Sequence, residues 1–142
     1  MIVLDTTVLT YAVGKSHPLR EPARRLVAAV GDKQLDLRTT VEVIQEFAHV
    51  RSRRRTREDA VDLARRYAVL FAPLIGPTAA DLDDGLALFQ HHPELGAFDA
   101  VLAATAIARH AEAMISADSA FASVPGLPFV DLASEELDDV VA

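Results

Sequence analysis

The chain has no cysteine among its 142 residues. Disulfides, thiolate metal sites and cysteine nucleophiles are therefore excluded, which fits a cytosolic protein. Long apolar runs are missing too. No stretch approaches the ~20 residues that a membrane span needs, and Ile2-Val3-Leu4 meets Asp5 too soon to serve as a signal-peptide core. The expectation is a soluble, cytoplasmic domain with no membrane association. Lysine is scarce: Lys15 and Lys33 are the only two, and both lie early. The C-terminal half lacks positive charge almost entirely, since residues 67–142 hold only Arg109 against twelve acids.

The missing bases are concentrated elsewhere. Residues 20–66 carry twelve bases against eight acids, and Lys15 and Asp5 cancel in residues 1–19, so balances of +4, 0 and −11 make up the net −7. Such segregation suggests one region for a polyanion and another that repels it or meets a basic partner. A hydrophobic share of 51% excludes disorder for the body of the chain. The length suits one domain with its own core.

Apolar runs and helical periodicities alternate along the chain. Ile2–Asp5 reads as a buried strand, followed by a short helix over about Thr7–Val13. A second helix opens at His17-Pro18 and runs to about Val30, and Leu35–Arg38 reads as a second strand. Thr39 or Thr40 caps a third helix, and Thr56 caps a fourth that Pro73 ends. Leu74-Ile75 is a short strand candidate. Thr78, with Asp81 in the capping-box position, starts a fifth helix that reaches about His91. The sixth, from Phe98-Asp99 to about His110, is apolar nearly all round. Its small residues predict close approach to a sheet. Ala113–Ser116 and Pro128–Val130 are the last strands, and Ser134–Ala142 is an acidic tail or short terminal helix. Strands alternating with helices imply a parallel sheet covered on both faces.

Four acids stand at positions of this pattern that suit a site. Asp5 and Asp118 follow strands, where open α/β sheets place their ligands. Asp99 lies in the first turn of the most buried helix. Glu46 flanks the apolar stripe of the third helix, while Glu42 points further from it. Each has a structural alternative: a cap or turn for the aspartates, an arginine pair one turn on for Glu46. Gathered at one edge, however, four carboxylates repel unless a cation neutralises them. Hard oxygen donors without His or Cys favour Mg²⁺ or Mn²⁺, and such a site suits phosphodiester hydrolysis by a metal-activated water. The arginines Arg51, Arg53, Arg54, Arg55 and Arg57 read equally well as an RNA-backbone contact or as a solvated helix end complementing the helix dipole. His91-His92 do not share a helix face, and His49, one turn from Glu46, reads as polar surface near the site. Glu42, Asp81, Asp83 and Asp84 read as helix N-terminal charge or solvated faces.

Val3-Leu4-Asp5-Thr6-Thr7-Val8-Leu9, Val43-Ile44-Gln45-Glu46-Phe47, Phe98-Asp99-Ala100-Val101-Leu102-Ala103-Ala104 and Ile115-Ser116-Ala117-Asp118-Ser119-Ala120-Phe121, in that order, resemble the PIN-domain ribonucleases, and within them the VapC toxins of toxin–antitoxin pairs. The resemblance ends near residue 130. It implies one PIN domain over residues 1–142, with an acidic tail at about 131–142, and a three-layer α/β/α fold with about five parallel strands. It also implies a Mg²⁺- or Mn²⁺-dependent endoribonuclease. Asp5 and Asp99 match the central metal ligands, Glu46 and Asp118 the other two acids, and Thr6 the hydroxyl residue supporting them. Ser116 stands where the family usually has threonine, which keeps the hydroxyl. A homodimer and a VapB-like antitoxin occupying the active-site groove are further implications. Three other readings compete. An aspartyl phosphatase usually wants a second Asp where Thr7 stands, and a receiver domain wants a late lysine that is absent. A PIN-like RNA- or protein-binding module without catalysis would have no need of all four acids.

Overall fold

The computed structural model describes residues 1–142 and contains a four-stranded, all-parallel sheet flanked by seven α-helices. The strands are β1 (Ile2–Leu4), β2 (Leu37–Arg38), β3 (Ala113–Ser116) and β4 (Phe129–Asp131), in the spatial order β2-β1-β3-β4. Every residue of β1 and β3 is buried, which is why both read as unbroken apolar runs: they are the two central strands, covered on both faces. β2 and β4 are edges: β4 is half exposed along its length, and in β2 Leu37 is buried while Arg38 is half exposed. Ile2 pairs with Leu37 on one side and with Ala113 on the other, so β1 holds the sheet together across more than a hundred residues of sequence.

The expected fifth strand shrinks to one parallel bridge between Thr40 and Ile75. The cause is local. The Thr39 hydroxyl is spent on the Leu4 carbonyl, 2.8 Å away, and Thr40 caps α3 (Val41–Arg54) by accepting the Val43 amide. The chain therefore turns into a helix where a longer ladder would have continued. The remaining helices are α1 (Thr6–Ala12), α2 (Arg20–Gly31), α4 (Arg57–Leu70), α5 (Ala79–His91), α6 (Ala97–Ala108) and α7 (Glu136–Val141). α2 starts later than the His17-Pro18 signal predicts, because Nδ1 of His17 accepts the Leu19 amide and holds residues 17–19 in a turn. The acidic C-terminus is packed rather than loose: Leu132 and Leu137 are buried in the core and Asp138 pairs with Arg25 of α2.

α1 packs on α2 and α3, α2 on α7, and α3 on α4. Tyr67 of α4 meets Phe47 of α3 edge-on at 5.0 Å and donates its hydroxyl to the Leu9 carbonyl of α1, and its burial pushes the phenol pKa up. α6 is buried through Ala100, Leu102, Ala103, Ala104 and Ala106. Its tightest approach, though, is to α5 rather than to the sheet as expected. A Cβ on Gly85 would lie 2.7 Å from the Cα of Val101, so this helix-interior glycine is present because no side chain fits between the two backbones.

Candidate functional site

The site grows from the ends of the two central strands. Asp5, 3% exposed, occupies the N-cap position of α1 but caps nothing. Its Oδ2 accepts two hydroxyls instead, Ser116 Oγ at 2.6 Å and Thr7 Oγ1 at 3.0 Å. Each hydroxyl has one proton and gives it to this same oxygen, so Oδ2 is saturated and Oδ1 is left for the cleft. The lone pairs of these hydroxyls then accept from the turn after β3: Thr7 takes the Ala117 amide and Ser116 the Asp118 amide, both at 2.9 Å. A closed network thus fixes the ends of β1 and β3 against each other. Thr7 is the functional residue that sequence reasoning missed. The only signal was a second hydroxyl two residues after the strand-terminal Asp.

The other acids arrive from separate elements. Glu46, midway along α3, accepts the Thr6 hydroxyl at 2.9 Å on Oε2, while Glu42 one turn earlier is exposed. Thr6 and Ser116 therefore hold Glu46 and Asp5 respectively. Asp99 is the third residue of α6, half-buried, behind an N-cap (Gly96) that has no side chain to engage it. Asp118 is exposed beyond β3 and caps a short 3₁₀ turn (Ser119–Ser123) through Oδ1, leaving Oδ2 free. All four acids line one cleft of about 460 Å³, together with Thr6, Thr7, Tyr11, Lys15, His17 and Arg54.

None of the four has a basic group within 4.0 Å. The consequence falls on Asp99. Its burial, and then the carboxylates of Asp5, Glu46 and Asp118, raise its pKa to about 7. Negative charge here is uncompensated, so the cleft favours a proton or a cation. No three acidic or histidine side chains close into a tight coordination shell as they stand. The donor chemistry is nevertheless of the kind that Mg²⁺ or Mn²⁺ takes: carboxylate oxygens only, with one or more left free on each acid.

The arginine run divides. Arg51 is turned inward, with Nε 2.5 Å from Asp59 and a terminal nitrogen 3.1 Å from the Val13 carbonyl, and its hydrogen bond holds the Asp59 carboxyl below its usual range. It joins α3 to α4 and to the end of α1. Arg54 reaches the acid cleft, and Arg55 lines the adjoining hollow. Arg53 is exposed, and Arg57 lies on the surface beside Glu58 and Arg65. His49 is exposed, His92 faces Glu94 at 3.9 Å, and neither histidine lines the acid cleft. Asp81 is neither solvated nor part of the cleft: it completes the capping box with Thr78 and is buried against Arg109 at 2.7 Å. On the far side of Glu46 and Asp99 runs an apolar groove of about 420 Å³, floored by Val43 and Leu102 and flanked by Leu82, Leu86 and Phe98.

Comparison with known proteins gives a consistent result. The PIN domain family profile matches residues 2–127. Ribonuclease VapC7 of Mycobacterium tuberculosis is 52% identical over 128 residues, covering 87% of this chain and 86% of that protein. Among solved structures, Mycobacterium tuberculosis VapC20, described as a sarcin-ricin loop cleaving toxin, superposes with a TM-score of 0.73 at 18% identity, over 87% of this chain and 94% of its own. A chain of VapBC2 from Rickettsia felis, bound to a DNA fragment from their promoter, superposes with a TM-score of 0.71 at 19% identity, over 92% and 98%.

Proposed function

We propose, starting from the fact that this chain belongs to the PIN-domain family, that it is a VapC-type endoribonuclease toxin hydrolysing RNA phosphodiester bonds at the four-acid cleft. One observation carries the reading. Carboxylates from four separate elements share a single cleft with no basic group within 4.0 Å of any of them, and burial together with three of them lifts the pKa of the fourth. A structural role would have paired them, as Asp81 and Asp59 are paired.

Asp5, Asp99, Glu46 and Asp118 would hold a divalent cation of the Mg²⁺ or Mn²⁺ type, through the oxygens that their own hydrogen bonds leave free. When bound, that cation supplies Lewis acidity toward the phosphate and makes water a competent nucleophile near neutral pH. The chain's own residues supply orientation. Ser116 and Thr7 lock the Asp5 carboxylate, and Thr6 holds Glu46 at the height of the strand ends. The raised pKa of Asp99 makes it the acid whose ionisation depends most on a cation being present. The exposed Arg54 and Arg55, with Arg53 and Arg57 further out, meet the RNA backbone, and Arg51 serves through Asp59.

The same reading assigns a VapB-like antitoxin as partner and a homodimer as the working form. Supporting it are the 52% identity to VapC7 and the apolar groove opening directly beside Glu46 and Asp99, a place where a bound segment blocks the acids. The test is incubation of the purified chain with total cellular RNA in Mg²⁺, Mn²⁺ or EDTA, beside Asp99→Asn. Discrete fragments that require both the cation and Asp99 are expected. Folded, antitoxin-free protein that cuts in neither metal would leave an RNA- or protein-binding module instead.

A further inference from the structure

The wall of the acid cleft opposite the carboxylates has a chemistry that hydrolysis alone does not use. The end of α1 brings Tyr11, and the loop from α1 to α2 brings Lys15 and His17, to the same cleft as Asp5, Asp99 and Asp118, and α3 adds Arg54. The rings of Tyr11 and His17 lie 4.6 Å apart between centroids at 34°. Tyr11 is half-buried behind the exposed His17, so the histidine is backed by a second ring and keeps a face toward solvent. Its orientation is set, because Nδ1 accepts the Leu19 amide at 3.1 Å. Lys15 and Arg54 are exposed and unpaired, although four carboxylates share their cleft. Both also line the neighbouring hollow with Arg51 and Arg55, so a basic track leads away from the acids.

We propose that the end of α1 and this loop form a nucleotide-binding lip: Tyr11 and His17 stack a base beside the bond to be cut, and Lys15 and Arg54 hold the adjoining phosphate. The proposal rests on the ribonuclease reading and assigns particular residues of the cleft to a base and a phosphate. A two-ring platform with an open face recognises any base that is free to leave its own stack, which a duplex does not offer. Separation of charge sets the register. The acids repel phosphate unless cation-loaded, whereas Lys15 and Arg54 attract it in any state, so the strand is anchored beside the acids rather than on them.

The test uses the full chain carrying Asp99→Asn, in EDTA, so that nothing is cut. An eight-nucleotide single-stranded RNA with a central 2-aminopurine is titrated, reading anisotropy for affinity and fluorescence quenching for stacking. His17→Ala and His17→Asn are expected to weaken binding about five- to tenfold, in the range of one lost base stack, and to abolish the quench. Asn keeps an acceptor for the Leu19 amide, so its failure isolates the ring, and His17→Phe is expected to restore both signals. Lys15→Ala is expected to reduce the salt dependence by about 0.7 in log–log slope, one phosphate on a single strand. Unchanged affinity and quench in His17→Ala, or equal weakening toward a duplex of the same sequence, would overturn the lip. The two readings fail separately: metal-dependent cleavage with an indifferent His17 removes only the lip, and His17-dependent stacking without cleavage in either metal removes only the hydrolase.

Discussion

Asp81 and Asp99 occupy the same place in consecutive helices. Each is the third residue, three past the N-cap, of α5 and α6, and the two helices pack against each other through Gly85. Their fates are opposite. Asp81 reaches back to the amide of Thr78 and is closed off by Arg109. Its burial alone would raise its pKa, but the Thr78 amide and Arg109 outweigh that and hold it below its usual range. Asp99 has glycine at its cap, no arginine, and three carboxylates for neighbours, and its pKa rises to about 7. Helical position is thus matched, and partnership separates them: one acid has been satisfied by the fold, the other left without a basic partner.

The strongest way to break that comparison is to neutralise each acid. Asp99→Asn is expected to lower RNA cleavage about 10³-fold or more, as losing several kcal/mol of charge stabilisation would, while keeping or raising the metal-free melting temperature. Asp81→Asn should cut RNA nearly as the parent does, yet lose about 2–3 kcal/mol of stability, because Arg109 loses its partner and the capping box its return bond. Cleavage rates beside thermal melts decide it, and equal behaviour of the two variants would remove the distinction. Next in size is Gly85→Ala. A better helix former is introduced, but its methyl meets the backbone of Val101, and overpacking is expected to win by about 1–3 kcal/mol in chemical denaturation.

Acid–base behaviour sharpens the contrast. A carboxyl whose folded pKa lies above its ordinary value stabilises the fold at low pH, and that contribution is lost as pH rises through the folded value. For Asp99 in EDTA the loss runs from about pH 4 to beyond pH 7, and Asp99→Asn should abolish that slope. Asp81, with its pKa lowered, contributes above its ordinary value and loses the contribution as pH falls. Melting curves across pH 3–9 should therefore show two slopes of opposite sign, each removed by its own substitution. Mg²⁺ should raise the melting temperature of the parent at pH 8 and have a smaller effect on Asp99→Asn. The smallest change expected is Gly96→Ser, which gives α6 the cap that α5 already has. The backbone is extended there and a Cβ meets nothing, so stability should rise by a few tenths of a kcal/mol. Cleavage should fall about two- to threefold as Asp99 is drawn into a capping box.

This contrast was partly legible beforehand. Thr78-x-x-Asp81 reads as a capping box, whereas Asp99 reads as either a site residue or a helix cap, so local chemistry settles only the first of the two acids. Glu46 over Glu42 followed from helical projection. The central strands were legible because burial on both faces leaves an unbroken apolar run. Long-range pairing was not: nothing local to Asp81 announces Arg109, or to Arg51 announces Asp59. The strand count was overestimated because the hydroxyls of Thr39 and Thr40 serve a distant carbonyl and a cap, an allocation fixed only in three dimensions. Thr7 was passed over for the same reason, since beyond Asp5 its partners, Ser116 and Ala117, lie some 110 residues away.

That last separation bears on the order in which the molecule comes into being. The Asp5 carboxylate is oriented by Ser116, and β1 is the middle of the sheet only once β3 has joined it. In a chain leaving the ribosome from its N-terminus, Asp5 and Thr7 emerge more than a hundred residues before β3 and the Ser116 hydroxyl that complete their network. Contacts of such sequence separation form late. The cleft is consequently among the last parts of the molecule to be assembled, and a nascent or truncated chain ending before Ser116 carries three of the four acids without the scaffold that makes them a site.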